Sequence, residues 1–546
     1  MNTHSVVRGT GIVGSLTLLS RLLGFIRDML VARLFGSGLF ADAYIVAFRI
    51  PNLLRSLVAE GALVSAFVPI FARELKHGHD QAQRAFSAVT GFLLLTTTAL
   101  SILGIIFAPQ IVSFFAPGFE SDPEKFSLCV LLTRIMLPYI MCVSLVALLN
   151  GALNSVKIFG ASALAQVVMN LVLIAGAWIA AWMGSRTGVI ALSVSVIVGG
   201  VAQLLAQIPA LRRSGFSLFP SREVFCSVTK QLVLLMFPAI IGATVYQLTI
   251  FLNTCMASLL PQGSVSWLFY ADRLTQLPIG VFSIALASVL LPTLSQAHVD
   301  ENKAAFTGNL MNALRYTSFI MIPVSCGLYM LARPLIEILF QRGRFDAVST
   351  INTAFAVQAY AVGLWGMSCH SMIVRAFIAQ RDTVTATLVG AFSLVLTFTL
   401  SLLLIGEISA QPGYIAEFIL FCQQFLLKFL PVANLAHSGL ALSSSIAATC
   451  AFVILSFLLH GRLNKEIAWK AFFITTLKSL LATAAMIYCL QLLTESIPST
   501  WILLGLGIPG GALVYAAASF LLKSPELQET FALFLRLSKR RLNKSR

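Results

Sequence analysis

Apolar stretches of about 18 to 25 residues recur along this chain from end to end, each long enough to cross a roughly 30 Å hydrocarbon core as an α-helix. In lipid a backbone has two solutions, spanning helices or a closed β-barrel, because every N–H and C=O must be satisfied internally. The short alternating strands of a barrel are not seen. The expected fold is an all-α polytopic membrane protein of about fourteen transmembrane helices, centred near residues 22, 55, 95, 138, 169, 199, 244, 279, 320, 360, 394, 449, 482 and 511. Composition agrees, with 58% of the 546 residues hydrophobic, 11% charged and a mean hydropathy of +0.89.

The formal net charge of +16 does not point to nucleic acid, because the basic residues are spread over many short loops. With the N-terminus inside, one membrane face collects Arg73, Lys76, Arg84, Lys157, Arg212, Arg213, Arg222, Lys303, Arg381, Arg462, Lys465, Lys539, Arg540, Arg541 and Lys544. The other face holds far fewer, chiefly Lys125, Arg186, Lys428 and the cluster Arg333, Arg342 and Arg344. The positive-inside rule then puts both termini in the cytoplasm. The cluster, in LARPLIEILFQRGRFD, is an exception, expected as a surface segment offset by Glu337 and Asp346. The start of the chain lacks an uninterrupted apolar region and a small-residue cleavage site, so it reads as a retained first helix. Nine scattered cysteines form no CxxC pair and suggest neither a disulfide framework nor a metal site.

Between Gly406 and Ser438, Ile415, Phe418, Ile419, Cys422, Phe425, Leu426 and Phe429 recur at helical spacing, with Glu417, Gln424 and Lys428 off that stripe. This insertion, near 407–437, is expected as an amphipathic helix lying in the outer interface. If it spanned, every downstream loop would change sides.

The chain also repeats itself. Ala62 to Pro69 reads ALVSAFVP and Ala285 to Pro292 reads ALASVLLP; upstream, LFADAY (Leu39 to Tyr44) is echoed by LFYADR (Leu268 to Arg273). Copies six spans apart run in the same direction, which implies parallel repeats and a two-lobed transporter with a central cavity. The expected division is 1–228 for the first lobe, 229–462 for the second, and 463–546 for two further helices and a basic tail.

Charges sit inside these spans. At about 2.5 to 3.5 kcal/mol each, Arg21, Arg27 and Asp28 would cost on the order of 8 to 10 kcal/mol if all faced lipid. They are therefore expected to face protein or a water-filled cavity, with Arg33 snorkelling at the far end. The second span adds Asp42, Arg49, Arg55 and Glu60 around Pro51, and the eighth adds Asp272 and Arg273. Internal salt bridges, Arg27 with Asp42 or Glu60 and Arg273 with Asp28, are one alternative. The arginines outnumber the carboxylates, however, and surplus buried cation calls for an anion. The guanidinium fork suits a phosphate or pyrophosphate. No P-loop, nucleophile elbow or HExxH motif is present, and the run Ser443 to Ser445 suggests close helix packing.

From SRLLGFIRDMLVARLFG (Ser20 to Gly36) through FADAYIVAFRIPNLLRSLVAEGALVSAFVPIFARE, and again at SVSWLFYADRLTQLPIGVFSIALASVLLPTLS (Ser264 to Ser295), the sequence resembles the MurJ/MviN family of lipid II flippases, within the MOP exporter superfamily. The resemblance covers essentially the whole chain. It implies two six-helix lobes around a cavity and a groove for a lipid tail on the last two helices. It further implies transport of undecaprenyl-pyrophosphate-linked disaccharide-pentapeptide from the inner to the outer leaflet of a bacterial cytoplasmic membrane by alternating access. It assigns the pyrophosphate to Arg21, Arg27, Arg55 and Arg273, and support of the cavity and its gates to Asp28, Asp42, Glu60 and Asp272. Asn253 stands where some members have an aspartate for sodium, so chloride or sodium coupling stays open; Gln276 stands at a position that is acidic in relatives. No cofactor is expected. The expected partners are lipid II, membrane lipids and the peptidoglycan synthesis machinery, for a monomer. Rival functions are a flippase for another polyprenyl-pyrophosphate glycan, a MATE-like cation or drug antiporter, which would favour an acidic cavity, and a membrane-embedded glycan polymerase, for which no carboxylate constellation is seen.

Overall fold

The computed structural model describes residues 3–56, 62–408, 412–428, 430, 433–463 and 469–529. The described backbone is almost wholly helical, and its β-pairing is an isolated bridge between Ile405 and Asn434. Among the described residues, ten helices or helix pairs are long and apolar enough to cross a membrane, and Lys303–Met330 with Ala332–Phe340, bent by 69°, makes an eleventh when the pair is counted as one span. The protein is a multi-pass membrane protein. The expected centres near 22, 55 and 244 fall instead on three stretches outside that set. These are a first helix charged at Arg21, Arg27, Asp28 and Arg33, a second of which residues 57–61 lie outside the described residues, and a third of which some side chains do.

The chain divides into two compact units. The first comprises Met1–Ser266, Arg342–Asp346 and Ile408–Phe425; the second comprises Trp267–Gln341, Ala347–Glu407 and Leu426–Arg546. The first holds α1 (Thr3–Phe35), α2 (Leu39–Leu54), α3 (Val64–His77), α4 (His79–Ile106), α5 (Ala108–Phe115), α6 (Pro123–Met136), α7 (Tyr139–Ser155), α8 (Gly160–Ala181), α9 (Ser185–Arg213) and α10 (Ser227–Ser258). The second is built on α11 (Ser264–Pro278), α12 (Ile284–Val299), α13 (Lys303–Met330), α14 (Ala332–Phe340), α15 (Ala347–Ala379) and α16 (Thr383–Leu404). After α17 (Tyr414–Leu427) it continues with α18 (Ala436–Arg462), α19 (Trp469–Ser496) and α20 (Thr500–Leu521).

Small residues set the tightest packing, as they do where lipid supplies no hydrophobic drive between helices. In the second unit α15 lies against α18 so closely that a Cβ on Gly363 would stand 2.2 Å from the Ser445 Cβ. The serine run belongs to this packing, with Ser445 Oγ donating to Ala359 O at 3.0 Å and Ser443 Oγ bonded to Ser401 Oγ at 2.7 Å. In the first unit Phe67, Phe71, Phe86 and Phe216 form an aromatic core under α3, α4 and the end of α9.

The sequence repeat has a backbone counterpart. Residues 55–56, before the first copy, and 62–63, which open it, are π-helical, and so are Ile279–Ser283, leading into the second. Such widened turns leave carbonyls off the regular ladder and recur at functional sites.

The basic segment after α14 is not simply a solvated surface. Arg342–Asp346 belongs to the first unit, where Arg344 N donates to Arg33 O at 2.9 Å. Two glycines make the approach reciprocal. Gly36 (φ +67°) would put a Cβ 2.5 Å from Arg344 O, and Gly343 (φ +62°) would put one 2.4 Å from Arg33 O. Gly343→Val meets both a left-handed backbone and a carbonyl. It is expected to cost about 2 kcal/mol or more, read as a lower unfolding midpoint in detergent, whereas Arg344→Ala should move the midpoint far less.

The insertion is helical, as expected, but its faces differ from the expected stripe. Ile419 is buried together with Ala416 and Gln423, while Phe418 and Phe425 are exposed with Tyr414 and Phe421; Phe429 lies outside the described residues. Gln423 Oε1 accepts from Ile408 N at 3.0 Å, so a polar residue takes the inner face because the loop supplies a donor there.

Candidate functional site

On α1, Asp28 is buried (4% exposed) and Arg27 half-buried. The two neighbours pair directly, Arg27 Nε and Nη2 donating to Asp28 Oδ1 at 3.0 and 2.8 Å. Arg27 Nη1 donates to Asn170 Oδ1 on α8 at 3.1 Å. Asn170 in turn donates to Ser20 O at 3.0 Å and Gln166 O at 3.1 Å. The polar strip of α1 is thus sewn to α8, and Arg27 pairs with its neighbour Asp28, not with Asp42. Arg21, two turns before Asp28, is exposed between exposed Leu18 and Leu22. Arg33 is exposed at the far end, its carbonyl taken by the Arg344 amide.

Asp42 has a different setting. In the first turn of α2 and 1% exposed, it accepts from Lys125 Nζ at 2.8 Å, Gly263 N at 2.9 Å, Ser266 N at 3.0 Å and Ser266 Oγ at 2.5 Å. Within the first unit it joins α2 and α6 to Gly263 and to Ser266 at the start of α11. Its negative charge is met by a lysine, so it offsets none of the arginines. Lys125, expected in an outer loop, is buried beneath Phe119 with its Nζ 4.2 Å from the ring centroid.

Further along α2, Arg49 Nη1 donates to Thr254 Oγ1 of α10, and Arg55 Nε to Asn52 Oδ1 at 2.8 Å as the helix widens. Glu60 lies outside the described residues. In the second unit, on α11, Gln276 Nε2 donates to Asp272 Oδ2 at 2.6 Å, and the Arg273 guanidinium lies 4.8 Å over the Phe269 ring. The glutamine that departs from the family pattern therefore holds the neighbouring aspartate. Among the described residues, no group of three or more His, Cys, Asp and Glu is placed to hold a metal ion.

Sequence reasoning missed Asn170, Lys125 and Ser266. Asn170 carried a usable signal, an amide deep in an apolar helix, where an unsatisfied polar group is costly.

The family model of the lipid II flippase MurJ matches residues 31–411. The chain belongs to the MurJ family of lipid II flippases. That match begins beyond Arg27 and Asp28, so it does not depend on the charged strip of α1. Among MurJ relatives, the chain is 36% identical over 484 residues to the lipid II flippase MurJ of Burkholderia cenocepacia, covering 87% of this chain and 88% of the relative. It is 36% identical over 495 residues to the probable lipid II flippase MurJ of Rhizobium meliloti, covering 89% and 91%. The fold is similar to a solved lipid II flippase MurJ in an inward closed conformation, with a TM-score of 0.77, 25% identity and coverage of 95% and 99%. A MATE family multidrug transporter of the MOP superfamily matches at a TM-score of 0.64 and 18% identity, covering 83% and 98%, which is a likeness of fold alone.

Proposed function

We propose that this chain flips lipid II, the undecaprenyl-pyrophosphate-linked disaccharide-pentapeptide, from the inner to the outer leaflet of a bacterial cytoplasmic membrane. The observation that carries the reading is the MurJ family match over most of the chain, on a sequence that keeps arginines at membrane depth in α1, α2 and α11. The headgroup enters a cavity open to the cytoplasm, and Arg21, Arg27, Arg55 and Arg273 hold its pyrophosphate through forked, charge-assisted hydrogen bonds. Asp28, Asp42, Glu60 and Asp272 fix those arginines or the gates. The prenyl chain stays in lipid along α19 and α20 while two six-helix lobes rock about the headgroup. Fourteen spans with both termini in the cytoplasm are supported by the basic loops. The chain contains no nucleotide-binding motif, so an ion gradient, the membrane potential or removal of product supplies the drive. A surplus of cavity cation disfavours the cationic substrates of a drug antiporter.

Depleting the protein in its host should leave lipid II inaccessible from outside; normal outward exposure would overturn the reading. Arg273→Ala tests the ligand role while the Asp272 side chain keeps its bond to Gln276. Loss of a charge-assisted contact is expected to cut transport about ten- to hundredfold, and Arg273→Lys, which keeps the charge over the Phe269 ring but not the fork, should recover only part of it. Full transport by the alanine variant would remove Arg273 from the pyrophosphate site.

A further inference from the structure

The family match leaves the function of α17 unassigned. This helix lies between two spans, α16 and α18, yet it has 14 residues, about 21 Å at 1.5 Å per residue, too short to cross the roughly 30 Å core. The connection must therefore leave and return at one membrane face. Its neck is closed at the helix ends: Ala433 N donates to Leu403 O at 2.8 Å and Leu435 N to Leu404 O at 2.9 Å, with Ile405 bridged to Asn434. That neck keeps the insertion beside the membrane surface.

At about 100° per residue, Tyr414, Phe418, Phe421 and Phe425 fall within about 60° of arc, and Ala416, Ile419 and Gln423 fall within about 60° on the opposite side. The second set is buried, whereas each of the four aromatics is more than half exposed. The inner face is held within the first unit, where a Cβ on Gly413 (φ +110°) would come 2.6 Å from Glu120 Oε2 and Gln423 bonds Ile408. Glu417, Gln424 and Lys428, all exposed, flank the aromatic sector along one edge. An aromatic sector bordered by polar side chains, on a helix pinned at a membrane face, fits the boundary between lipid headgroups and acyl chains.

We propose that Tyr414, Phe418, Phe421 and Phe425 form a lipid-docking face that seats α17 in the headgroup–acyl boundary of the bilayer, while Ala416, Ile419 and Gln423 hold it to the protein. This face shares Phe418 and Phe425 with the stripe of Ile415, Phe418, Ile419, Cys422, Phe425, Leu426 and Phe429 that spacing alone favours, but leaves out Ile419 and takes in Tyr414 and Phe421. The partner is the lipid surface, not a soluble protein.

The test uses the full-length chain in vesicles of phosphatidylethanolamine and phosphatidylglycerol, with bromine placed high on the acyl chains as a quencher. The chain has six tryptophans, so each single variant is read as the emission it adds over the parent. The emission added by Phe421→Trp and by Phe425→Trp should fall by at least about half in bromolipid and resist aqueous iodide. Ile419→Trp should be untouched by either quencher. Iodide quenching of the Phe421 and Phe425 probes, with none from bromolipid, would overturn the proposal and make the face a surface for water or a soluble partner. Bromolipid quenching at Ile419 but not at Phe421 would overturn it in favour of the stripe. The two aromatic probes decide even where bulk at Ile419 prevents folding. No step requires substrate, so a failed lipid II assay leaves this result standing.

Discussion

Arg27→Ala should lose two things at once, lipid II transport and part of the stability of the first unit. The Arg27 guanidinium pairs with Asp28 at 2.8 Å, and Asp28 is 4% exposed. Alanine would take the Arg27 cation and its two hydrogen bonds away from that buried carboxylate, a loss of about 3 kcal/mol. A fall in transport by this variant alone would thus say little about the ligand. The pair of substitutions Arg27→Gln with Asp28→Asn separates the effects. It removes both charges, keeps groups able to bond each other and Asn170, and should recover the unfolding midpoint to within about 1.5 kcal/mol of the parent. Transport should stay down. Pairing with Asp28 does not disqualify Arg27 as a ligand. A guanidinium carries five N–H donors; one each from Nε, Nη1 and Nη2 is committed, which leaves two for phosphate oxygens. Parental transport by the double variant would end the ligand role of Arg27.

That pairing marks where sequence ceases to be informative. The helices were legible because an apolar run of sufficient length has essentially one solution in lipid, and the expected centres near 95, 169 and 482 fall on α4, α8 and α19. Insertion cost also identified Arg27 and Asp28 as groups that lipid would not accept. Their partners were not legible. Adjacent helical residues point about 100° apart, and they meet here only because the long arginine side chain turns back across the helix, a rotamer choice fixed by Asn170, 143 residues away. Lys125 looked like a loop residue because it follows Asp122 and Pro123, yet it lies in the first turn of α6 and reaches Asp42. On α17 the helical period was right, but the stripe it marked is split, with Ile419 held by the protein and Phe418 and Phe425 exposed. Apolar residues cover more than half of the helix, and periodicity cannot say which part the protein keeps.

The second large effect is expected at Asp42, where the loss should be one of folding before it is one of transport. Both oxygens are committed: Oδ1 accepts from Ser266 N and Oγ, and Oδ2 accepts from Lys125 Nζ and Gly263 N. Asp42→Ala removes all four acceptor contacts and strands the Lys125 ammonium, which is 6% exposed. Stranding a buried charge costs about 3 to 5 kcal/mol, enough to lower the amount of protein recovered from membranes as well as its unfolding midpoint. Asp42→Asn keeps the shape and one carbonyl acceptor but still leaves the lysine without a counter-charge, so it should fall between parent and alanine. Lys125→Gln in the Asp42→Asn background removes that charge and should restore part of the midpoint. A cycle of this kind reports the coupling between the two residues directly. If Asp42→Ala unfolds at the parental midpoint while transport is lost, Asp42 serves the gate and not the fold. If the cycle shows no coupling, the 2.8 Å contact with Lys125 contributes nothing to stability.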